Sequence, residues 1–229
     1  MCPGDGAEVR MKWAEKSEVR WLEADLPGAR AIFSTRSAGS VKEDRLTLAT
    51  ALGISLDQIV SGQQVHGAEL AFHDVATAET PEVDGQVILA AGPIGLVYTA
   101  DCLPVAVAGP CGVAMLHCGW RSLAAGIVAR GAGSVSATHA AIGPGIGACC
   151  YEVGGDVLGA FADLGDGIAT GPMLDLQEVA RRLLVRAGVE NIESADLCTR
   201  CEQDLFFSHR RDAGPGRQAG LAWIETGGE

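Results

Sequence analysis

The chain contains 229 residues, of which 29 are acidic and 17 are Lys or Arg, so its formal net charge at pH 7 is −12. This length suits one α/β domain better than two, because domains usually contain about 50 to 250 residues. The negative charge argues against nucleic acid and an anionic membrane surface as main partners, and an anionic substrate would have to meet a local cluster of arginines.

The N-terminal segment lacks the features of a secretory signal. It carries charges from Asp5 onward and has no apolar core segment, so the cytoplasm is the expected compartment. Residues 1–18 are predicted to be a poorly ordered lead-in to a single domain that takes in residues 1–229. The charge-free run over residues 103–120 is interrupted by glycines and a proline, which predicts short buried strands and no membrane-spanning helix.

The first predicted elements are strands near residues 19–23 and 31–35. Arg36 follows the second strand directly, where its guanidinium could bind a carboxylate or phosphate, although a surface ion pair is the plainer interpretation. Residues 55–58 have the form of a capping box, which predicts a short helix before a strand that carries His66.

The stretch from residue 94 to residue 121 is the most informative part of the sequence. It predicts strands at residues 94–100, 104–108 and 112–116, with a turn at residues 109 and 110. Cys102 and His117 therefore lie at strand ends that a hairpin could bring together. A thiolate and an imidazole suit zinc, with bonds of roughly 2.0–2.3 Å. His66 is the candidate third ligand, although an isolated histidine is often a hydrogen-bonded core residue.

The elements after His117 alternate between helices and short strands. A small-residue helix is predicted to follow Arg121 and to end around Gly131, and a strand is predicted at residues 139–142. The glycine-rich loop at residues 143–147 lacks the pattern of a phosphate-binding loop, so we interpret it as a tight turn near the ligand. Apolar periodicity, an Asp175 cap and a stop at Gly188 predict the clearest helix, at residues 175–188.

Eight cysteines in a cytosolic chain indicate metal binding, thiol chemistry or apolar packing in preference to disulfides. A four-cysteine zinc site would require two pairs to converge, and we do not expect this; the pairs are Cys149 with Cys150 and Cys198 with Cys201. The remaining interpretation, small buried hydrophobic residues, is preferred for Cys111, Cys118 and Cys149.

Several motifs, in this order, resemble the YfiH family: FSTR at 33–36, QVHG at 64–67, ADCLP at 100–104, HCGWR at 117–121, IGPGIGACCYEVG at 142–154, then CTRC and DLFFSHRRDAGPGRQAG. This family was formerly called the multicopper polyphenol oxidase (laccase) family and has since been described as purine nucleoside phosphorylase, adenosine deaminase and peptidoglycan editing factor. The resemblance extends from about residue 33 to the C-terminus. It implies an α/β (α+β) layered sandwich of mixed β-sheet with flanking helices.

The same resemblance implies a set of functional residues. His66, Cys102 and His117 would bind a zinc ion, with copper as the alternative metal. Asp101 is the candidate for the group that protonates the departing purine. Substrate or phosphate contacts are expected from Arg36, Gln64, Asp84, Arg121 and Arg211.

Two of these expectations, Asp84 and Arg211, carry a qualification from the sequence itself. Asp84 lies at the tip of a predicted turn. Aspartate is common in turns, so turn formation explains this residue nearly as well as a role on the rim of the substrate site. Arg211 is preferred to Arg210 because neighbours in an extended segment point in opposite directions. Relatives have an aromatic residue where His209 sits, so it is not counted as a ligand, and residues 37–54 depart from the family pattern.

The implied function is zinc-dependent phosphorolysis of adenosine, inosine and methylthioadenosine to free base and ribose 1-phosphate, together with adenosine deamination. Zinc lowers the pKa of bound water from about 15.7 to about 7, which suits the hydrolytic reaction. The expected partners are a nucleoside and phosphate, with no nucleic acid and no membrane, and the expected assembly is a monomer or small homo-oligomer.

Three alternatives remain open at this point. The same ligands would serve an amidohydrolase that removes a misincorporated amino acid from a muramyl nucleotide, a peptidoglycan precursor. A copper-dependent polyphenol oxidase is disfavoured, because the chain has five histidines and no H-x-H pair, although Met115 could complete a blue-copper set. A metal-free thiol enzyme would use Cys102 as nucleophile and His117 as base.

Overall fold

Two six-stranded β-sheets lie face to face at the centre of the structure, a computed structural model that describes residues 8–226. The strands, in chain order, are β1 (Arg10–Lys16), β2 (Val19–Leu26), β3 (Ala29–Ser34), β4 (Ile59–Ser61), β5 (Leu70–His73), β6 (Gly85–Ile88), β7 (Ile94–Thr99), β8 (Leu103–Gly109), β9 (Gly112–Cys118), β10 (His139–Ile142), β11 (Ala169–Thr170), β12 (Met173–Leu174), β13 (Asn191–Ser194) and β14 (Gln218–Ile224). The helices are α1 (Leu46–Leu52), α2 (Trp120–Ala124), α3 (Ile127–Val135), α4 (Gly155–Gly159), α5 (Leu176–Arg186) and α6 (His209–Asp212).

Both large sheets mix parallel and antiparallel neighbours. The first sheet has the order β1-β2-β3-β14-β7-β4, and the second has the order β13-β10-β8-β9-β6-β5. The pairs β4–β7, β5–β6 and β10–β13 are parallel, whereas the other pairs in these sheets are antiparallel. The fold is therefore α+β, and the predicted layered sandwich of mixed sheet with flanking helices is confirmed.

Apolar side chains fill three layers. One layer lies between the two sheets and includes Phe33 and Met115. A second lies between the second sheet and helices α3 and α5, and a third packs α1 against the outer face of the first sheet. The central strands β8 and β9 of the second sheet are buried on both faces, which explains why their sequence is apolar almost without interruption.

The two sheets approach closely at Gly220 on β14. A Cβ atom at this position would lie 2.6 Å from Cβ of Pro104 and 2.9 Å from Sδ of Met115. Contacts this short do not occur between real side chains, so only glycine lets the sheets pack at this separation.

Two sequence predictions were wrong in detail. The predicted lead-in over residues 1–18 contains strand β1, which pairs antiparallel with β2 from Lys16↔Val19 to Arg10↔Asp25; residues 1–7 lie outside the described residues. Its side chains are largely exposed and charged, as is typical of an edge strand, so the alternation that marks a strand is weak. The helix predicted to end at Gly131 is instead the pair α2 and α3, separated at Gly126, whose φ is +87°.

Other local signals were read correctly. Asp175 caps α5 by accepting a hydrogen bond from the Glu178 N–H at 2.9 Å, and Gly188 follows the helix with a φ of +86°. The run over residues 103–120 forms β8 and β9. None of the helices within residues 8–226 is both long enough and apolar enough to cross a bilayer. The single-domain assignment and the cytoplasmic location stay predictions.

Replacing Met115 by alanine is expected to lower the free energy of unfolding by about 2–5 kcal/mol. The side chain is fully buried between the sheets, and truncation would remove apolar contacts and leave a cavity. Chemical denaturation measures the change. The matched control is Val185→Ala on the exposed face of α5, which should alter stability by less than about 0.5 kcal/mol. Equal effects of the two substitutions would contradict this account of the core.

Candidate metal centre

Three side chains from separate parts of the chain converge beside one end of β8 and β9, the central strands of the second sheet. The ligand atoms of His66, Cys102 and His117 all lie within 4.8 Å of one another. Cys102 Sγ is 3.9 Å from His66 Nε2, and the two imidazole centroids are 4.9 Å apart with the ring planes inclined at 70°. The structure thus brings together the three residues that the sequence predicted as a ligand set.

The hairpin of β8 and β9 supplies two of these residues. Leu103 pairs with Cys118 and Pro104 with His117, so Cys102, just before β8, lies beside the end of β9. His66 comes from the loop between β4 and β5, which belong to different sheets, and not from a strand as predicted. Its φ is +60°, an unfavourable conformation for a residue with a Cβ, and such conformations cluster at functional sites.

The carboxylate of Asp84 is hydrogen-bonded both to the loop that carries His66 and to the ring of His117. Its carboxylate accepts hydrogen bonds from the N–H groups of Val65, His66 and Gly67, at 3.1, 3.0 and 2.7 Å. Its Oδ1 also lies 2.8 Å from Nδ1 of His117. The side chain is fully buried, so its expected place on the rim of the substrate site is wrong. Asp84 is instead a positioning residue for two of the three candidate ligands.

The contact between Asp84 and His117 is the arrangement that metal-binding histidines usually show. A carboxylate on one ring nitrogen fixes the tautomer and orientation of the ring and leaves the other nitrogen for the metal. Burial by itself would raise the pKa of Asp84, but the hydrogen bonds from His117 and from the Gly67 N–H outweigh burial and lower it. The carboxylate therefore stays ionised behind the ring.

Cys102 and His117 polarise each other strongly. Burial by itself would raise the pKa of the Cys102 thiol, but the His117 and His66 imidazoles lower it to about 6. Burial by itself would lower the pKa of His117, whereas the Cys102 thiolate and the Asp84 carboxylate raise it to about 9. Near neutral pH the metal-free site is therefore a thiolate beside an imidazolium.

The residues present fit a divalent ion such as zinc. One sulfur and two imidazole nitrogens make a three-ligand set that leaves a fourth tetrahedral position open, as in catalytic zinc sites. Gly119 adds room, because a Cβ there would lie 3.0 Å from both Cys102 Sγ and His66 Cδ2. Cys118 points into the apolar layer beside α3 and is fully buried, as predicted, so it is not a ligand.

The candidate ligands open onto a cavity of about 820 Å³. A volume of this size is typical of pockets for small organic ligands. Its walls combine cationic, aromatic and polar side chains; they are Lys42, Arg45, Ser61, Gly62, Gln63, Gln64, His66, Thr80, Tyr98, Ala100, Asp101, Cys102, His117, Trp120, Arg121, Ile146, Tyr151, His209, Arg210 and Arg217.

The cavity is basic although the chain is acidic. Five lysine or arginine side chains line it, against one carboxylate, that of Asp101. Arg121 lies over the Trp120 ring at 4.4 Å and makes no side-chain hydrogen bond within the described part of the chain, so its guanidinium is available to a ligand. Lys42 and Arg45 come from residues 37–54, the segment predicted to depart from the family pattern, and supply two cations to the cavity wall.

Aromatic rings alternate with these cations. Arg45 lies over Tyr98 and Arg210 over Tyr151, each at 5.4 Å from the ring centroid. Gln64 lines the cavity as expected, but its amide exchanges two hydrogen bonds with the backbone of Tyr98, at 2.7 and 2.8 Å. Gln64 therefore positions β7 beside the cavity, and its expected substrate contact stays a prediction.

Two arginines expected at the substrate lie outside the cavity. Arg36 donates to the carbonyl of Gln203 and stacks over Phe207, so it fastens the C-terminal segment. Arg211 binds the carbonyls of Thr199, Arg200 and Phe206 and pairs with Asp212. These side chains are occupied by structural contacts and do not line the cavity, so their predicted substrate contacts stay predictions.

Arg210 is the residue of that pair which faces the cavity. The alternation rule failed because residues 209–212 form helix α6 and not an extended segment. Ser208 caps this helix by accepting a hydrogen bond from the Arg211 N–H at 3.2 Å, and a serine four residues before Asp212 was the signal in the sequence.

Asp101 lines the cavity in a strained conformation, with a φ of +85°. Both carboxylate oxygens are occupied: Oδ1 accepts from the Thr199 hydroxyl at 2.7 Å, and Oδ2 accepts from the Arg210 N–H at 2.6 Å. These contacts make Asp101 a positioning residue that ties the start of β8 to α6, and its role as a proton donor stays a prediction. Arg217, Tyr151 and Trp120 also line the cavity; each lies within a family motif, but the sequence analysis did not name them as site residues.

Replacing Asp84 by asparagine should weaken zinc binding at this site about 10–100-fold, the usual effect of losing the carboxylate behind a ligand histidine. Competition against a chelator of known affinity measures the change. Glu69→Gln is the matched control, since it neutralises a nearby exposed carboxylate that pairs with Arg130. Equal affinity in the Asp84 variant, with its fold verified by circular dichroism, would contradict the positioning role.

In metal-free protein, the Cys102 thiol should lose its proton near pH 6, well below the ordinary value of 9.0, because the lowered pKa favours the thiolate. The rate of alkylation at Cys102 should therefore increase as the pH rises through 6 and level off above it. Mass spectrometry of the labelled peptide follows Cys102 alone, and Cys111→Ser serves as the unaffected control. A titration near pH 9 would contradict the ion pair.

Comparison with known proteins connects this site to a family. A sequence profile described as multi-copper polyphenol oxidoreductase laccase matches residues 33–225. The chain is 34% identical to a purine nucleoside phosphorylase of Xylella fastidiosa, over 86% of this chain and 93% of that protein. It is 36% identical to adenosine deaminase RL5 from an unknown prokaryotic organism, over 75% of this chain and 76% of that protein.

A solved structure agrees with the sequence relatives. The crystal structure of the hypothetical protein YfiH from Bacillus licheniformis matches with a TM-score of 0.81 at 26% identity, covering 93% of this chain and 99% of that one. The matched sequence profile takes in most of the chain, including the three candidate ligands and the cavity. The chain therefore belongs to the multi-copper polyphenol oxidoreductase laccase family, the YfiH family that its motifs predicted.

Proposed function

We propose that this protein is a zinc-dependent purine nucleoside enzyme that phosphorolyses adenosine, inosine and methylthioadenosine and also deaminates adenosine. The observation that carries this proposal is the position of the His66, Cys102 and His117 set on the wall of a basic, partly aromatic cavity. Relatives with the names purine nucleoside phosphorylase and adenosine deaminase support the same class of substrate.

The cations of the cavity favour phosphorolysis over simple hydrolysis. In phosphorolysis a phosphate oxygen forms a bond to C1′ of the ribose while the bond from C1′ to the purine breaks, and the purine leaves with a proton. A phosphate ion must therefore lie beside an uncharged nucleoside. Lys42, Arg45, Arg121, Arg210 and Arg217 can supply its counter-charge, and guanidinium groups suit phosphate especially well.

The aromatic and polar walls suit the nucleoside. The rings of Tyr98, Trp120 and Tyr151 offer faces on which a purine can stack, and the backbone around Gln64 and Ser61 offers polar groups to a ribose. His66, Cys102 and His117 would hold the metal, which when bound supplies Lewis-acid chemistry for hydrolytic deamination or for polarising a substrate oxygen. Asp84 keeps His117 oriented throughout.

A second candidate is an amidohydrolase that removes a misincorporated amino acid from a muramyl nucleotide. The cavity volume supports this second candidate, because about 820 Å³ accommodates a ligand larger than a nucleoside with phosphate. The same cations would then bind the diphosphate of the nucleotide. The two candidates share every metal ligand and differ in what must occupy the rest of the cavity.

Multi-copper oxidase chemistry, which the family description names, has little support from the described residues. Within residues 8–226, the groups of three or more side chains that could hold a metal are the His66 set and one group of four cysteines. A three-copper cluster needs many histidine ligands. His73 does not offer itself as one, because it is buried on β5 and its ring nitrogen is hydrogen-bonded to Gln86 at 2.8 Å. Met115 lies in the core between the sheets and does not line the cavity.

The decisive experiment compares products from protein of measured metal content. With adenosine and phosphate we expect adenine and ribose 1-phosphate; with adenosine alone we expect inosine and ammonia. Cys102→Ala should abolish both reactions together with one equivalent of zinc. Turnover of a serine-containing muramyl nucleotide without turnover of nucleosides would replace this proposal by the second candidate, and activity in zinc-free wild-type protein would favour a thiol enzyme.

Within this scheme, Arg121→Gln should raise the apparent KM for phosphate at least about tenfold, because a hydrogen bond to a charged group is worth about 1.5–3 kcal/mol. Deamination without phosphate should change much less. Arg130→Gln is the matched control, since Arg130 pairs with Glu69 on the surface and does not line the cavity. An equal loss in both reactions would assign Arg121 to the nucleoside and not to phosphate.

A further inference from the structure

A second group of potential metal ligands consists of cysteines alone and comes from other positions in the chain than the His66 set. The sulfur atoms of Cys149, Cys150, Cys198 and Cys201 all lie within 4.8 Å of one another. The sequence interpretation, in which these pairs do not converge and Cys149 is a buried hydrophobic residue, is wrong: Cys149 and Cys201 are exposed, and the other two are half-buried. Cys111, also predicted to be buried, is exposed.

The spacing of the sulfurs fits coordination of a single ion. Four thiolates that bind zinc tetrahedrally at about 2.3 Å lie about 3.8 Å apart. Cys201 Sγ is 3.5 Å from Cys149 Sγ and 3.4 Å from Cys150 Sγ. A disulfide would require a separation of about 2.05 Å, and all seven described cysteines are free thiols.

Apolar packing does not explain the group. Cysteine is common in protein cores as a small hydrophobic residue, but two of these four are exposed and none is fully buried, so burial contributes little. Four thiols converging from two loops therefore need another reason to be together. Tetrahedral sulfur coordination is typical of zinc or iron.

The backbone around the group is shaped to bring the sulfurs together. Cys149 and Cys150 lie in a tight turn, and Cys198 begins another, in which its carbonyl accepts from the Cys201 N–H at 3.1 Å. Gly147 N–H donates to Cys198 Sγ at 3.2 Å. A Cβ on Gly147 would lie 3.2 Å from Cys198 Cβ and 3.5 Å from Cys149 Sγ, so a glycine lets its N–H approach the sulfurs.

We propose that Cys149, Cys150, Cys198 and Cys201 bind a second, structural zinc ion. Four protein sulfurs complete a tetrahedron, so this site has no open position for a substrate, in contrast to the three-ligand set at the cavity. The thiols lose their protons when the ion binds, and the ion joins two loops that are about 50 residues apart in the chain.

The position of this ion gives it a role beside the cavity. It fastens the loop of residues 143–151 to the loop of residues 195–203, which are already joined by the bridge between Gly145 and Cys198. The first loop carries Tyr151 and Ile146 on the cavity wall, and the Ile146 N–H donates to the Asp101 carbonyl at 2.8 Å. The second carries Thr199, whose hydroxyl binds the Asp101 carboxylate. The structural ion thus stabilises one wall of the cavity and the segment next to Cys102.

The test is the zinc content of the full-length chain and of variants that remove one site each. Purified wild-type protein should contain two zinc ions per chain after dialysis. Cys198→Ser/Cys201→Ser should retain one, Cys102→Ala should retain one, and the matched control Cys111→Ser should retain two. A wild-type content of one that is unchanged by Cys198→Ser/Cys201→Ser would overturn the proposal, as would iron absorption or a disulfide among the four cysteines.

A spectroscopic measurement keeps the test decisive if the double variant does not fold. Zinc-edge X-ray absorption on Cys102→Ala protein, in which the four cysteines are intact, should show four sulfur neighbours at about 2.3 Å. Nitrogen or oxygen neighbours, or no zinc at all, would contradict the assignment. Failure of the nucleoside reaction would leave this result untouched, because neither measurement depends on activity.

Discussion

The buried carboxylate of Asp84 is the interaction on which the site depends. One side chain accepts three backbone hydrogen bonds from the loop that carries His66 and a fourth contact from His117, so it couples two candidate ligands that are about 50 residues apart. A charged group inside the protein is stable only when it is paired and hydrogen-bonded, and here every partner belongs to the site. The same contacts hold His66 in a left-handed conformation that it would otherwise avoid.

The fold places this centre where three kinds of segment meet. The hairpin of β8 and β9 delivers Cys102 and His117 from the second sheet, and the loop from β4 to β5 delivers His66 as the chain passes between sheets. The C-terminal segment forms the third side, where the Arg210 N–H donates a hydrogen bond to the Asp101 carboxylate. The cavity also collects five cations, from residues 42–45, from α2 and from the C-terminal segment, although the protein as a whole carries a charge of −12. Charge is thus concentrated where an anion would bind, and the remaining surface stays acidic.

The two groups of cysteine and histidine side chains differ in a way that separates chemistry from architecture. The set at the cavity has three ligands, an orienting carboxylate and an open side toward a large pocket. The four cysteines form a closed set at the surface, between two loops that support the cavity wall. A metal ion at the first would act on a substrate, whereas one at the second would stabilise the loops that position Asp101 and Tyr151. A glycine lies beside the sulfur atoms in both arrangements: Gly119 next to Cys102, and Gly147 next to Cys149 and Cys198.

The sequence by itself determined the fold class, the strands β2, β3 and β7 to β10, helix α5 and, through its motifs, the family and the three candidate ligands. These features depend on local signals: apolar runs, caps, turns, and residue types that suit zinc. The tertiary structure alone decided which residues face the cavity. It placed Arg210 there and not Arg211, assigned Arg36 to the C-terminal segment, and moved Asp84 from the rim to the buried side of His117. It also brought the four cysteines together. The reason is physical. The direction of a side chain depends on the local backbone, and the meeting of distant loops depends on how the two sheets pack. Residue spacing reveals neither of these.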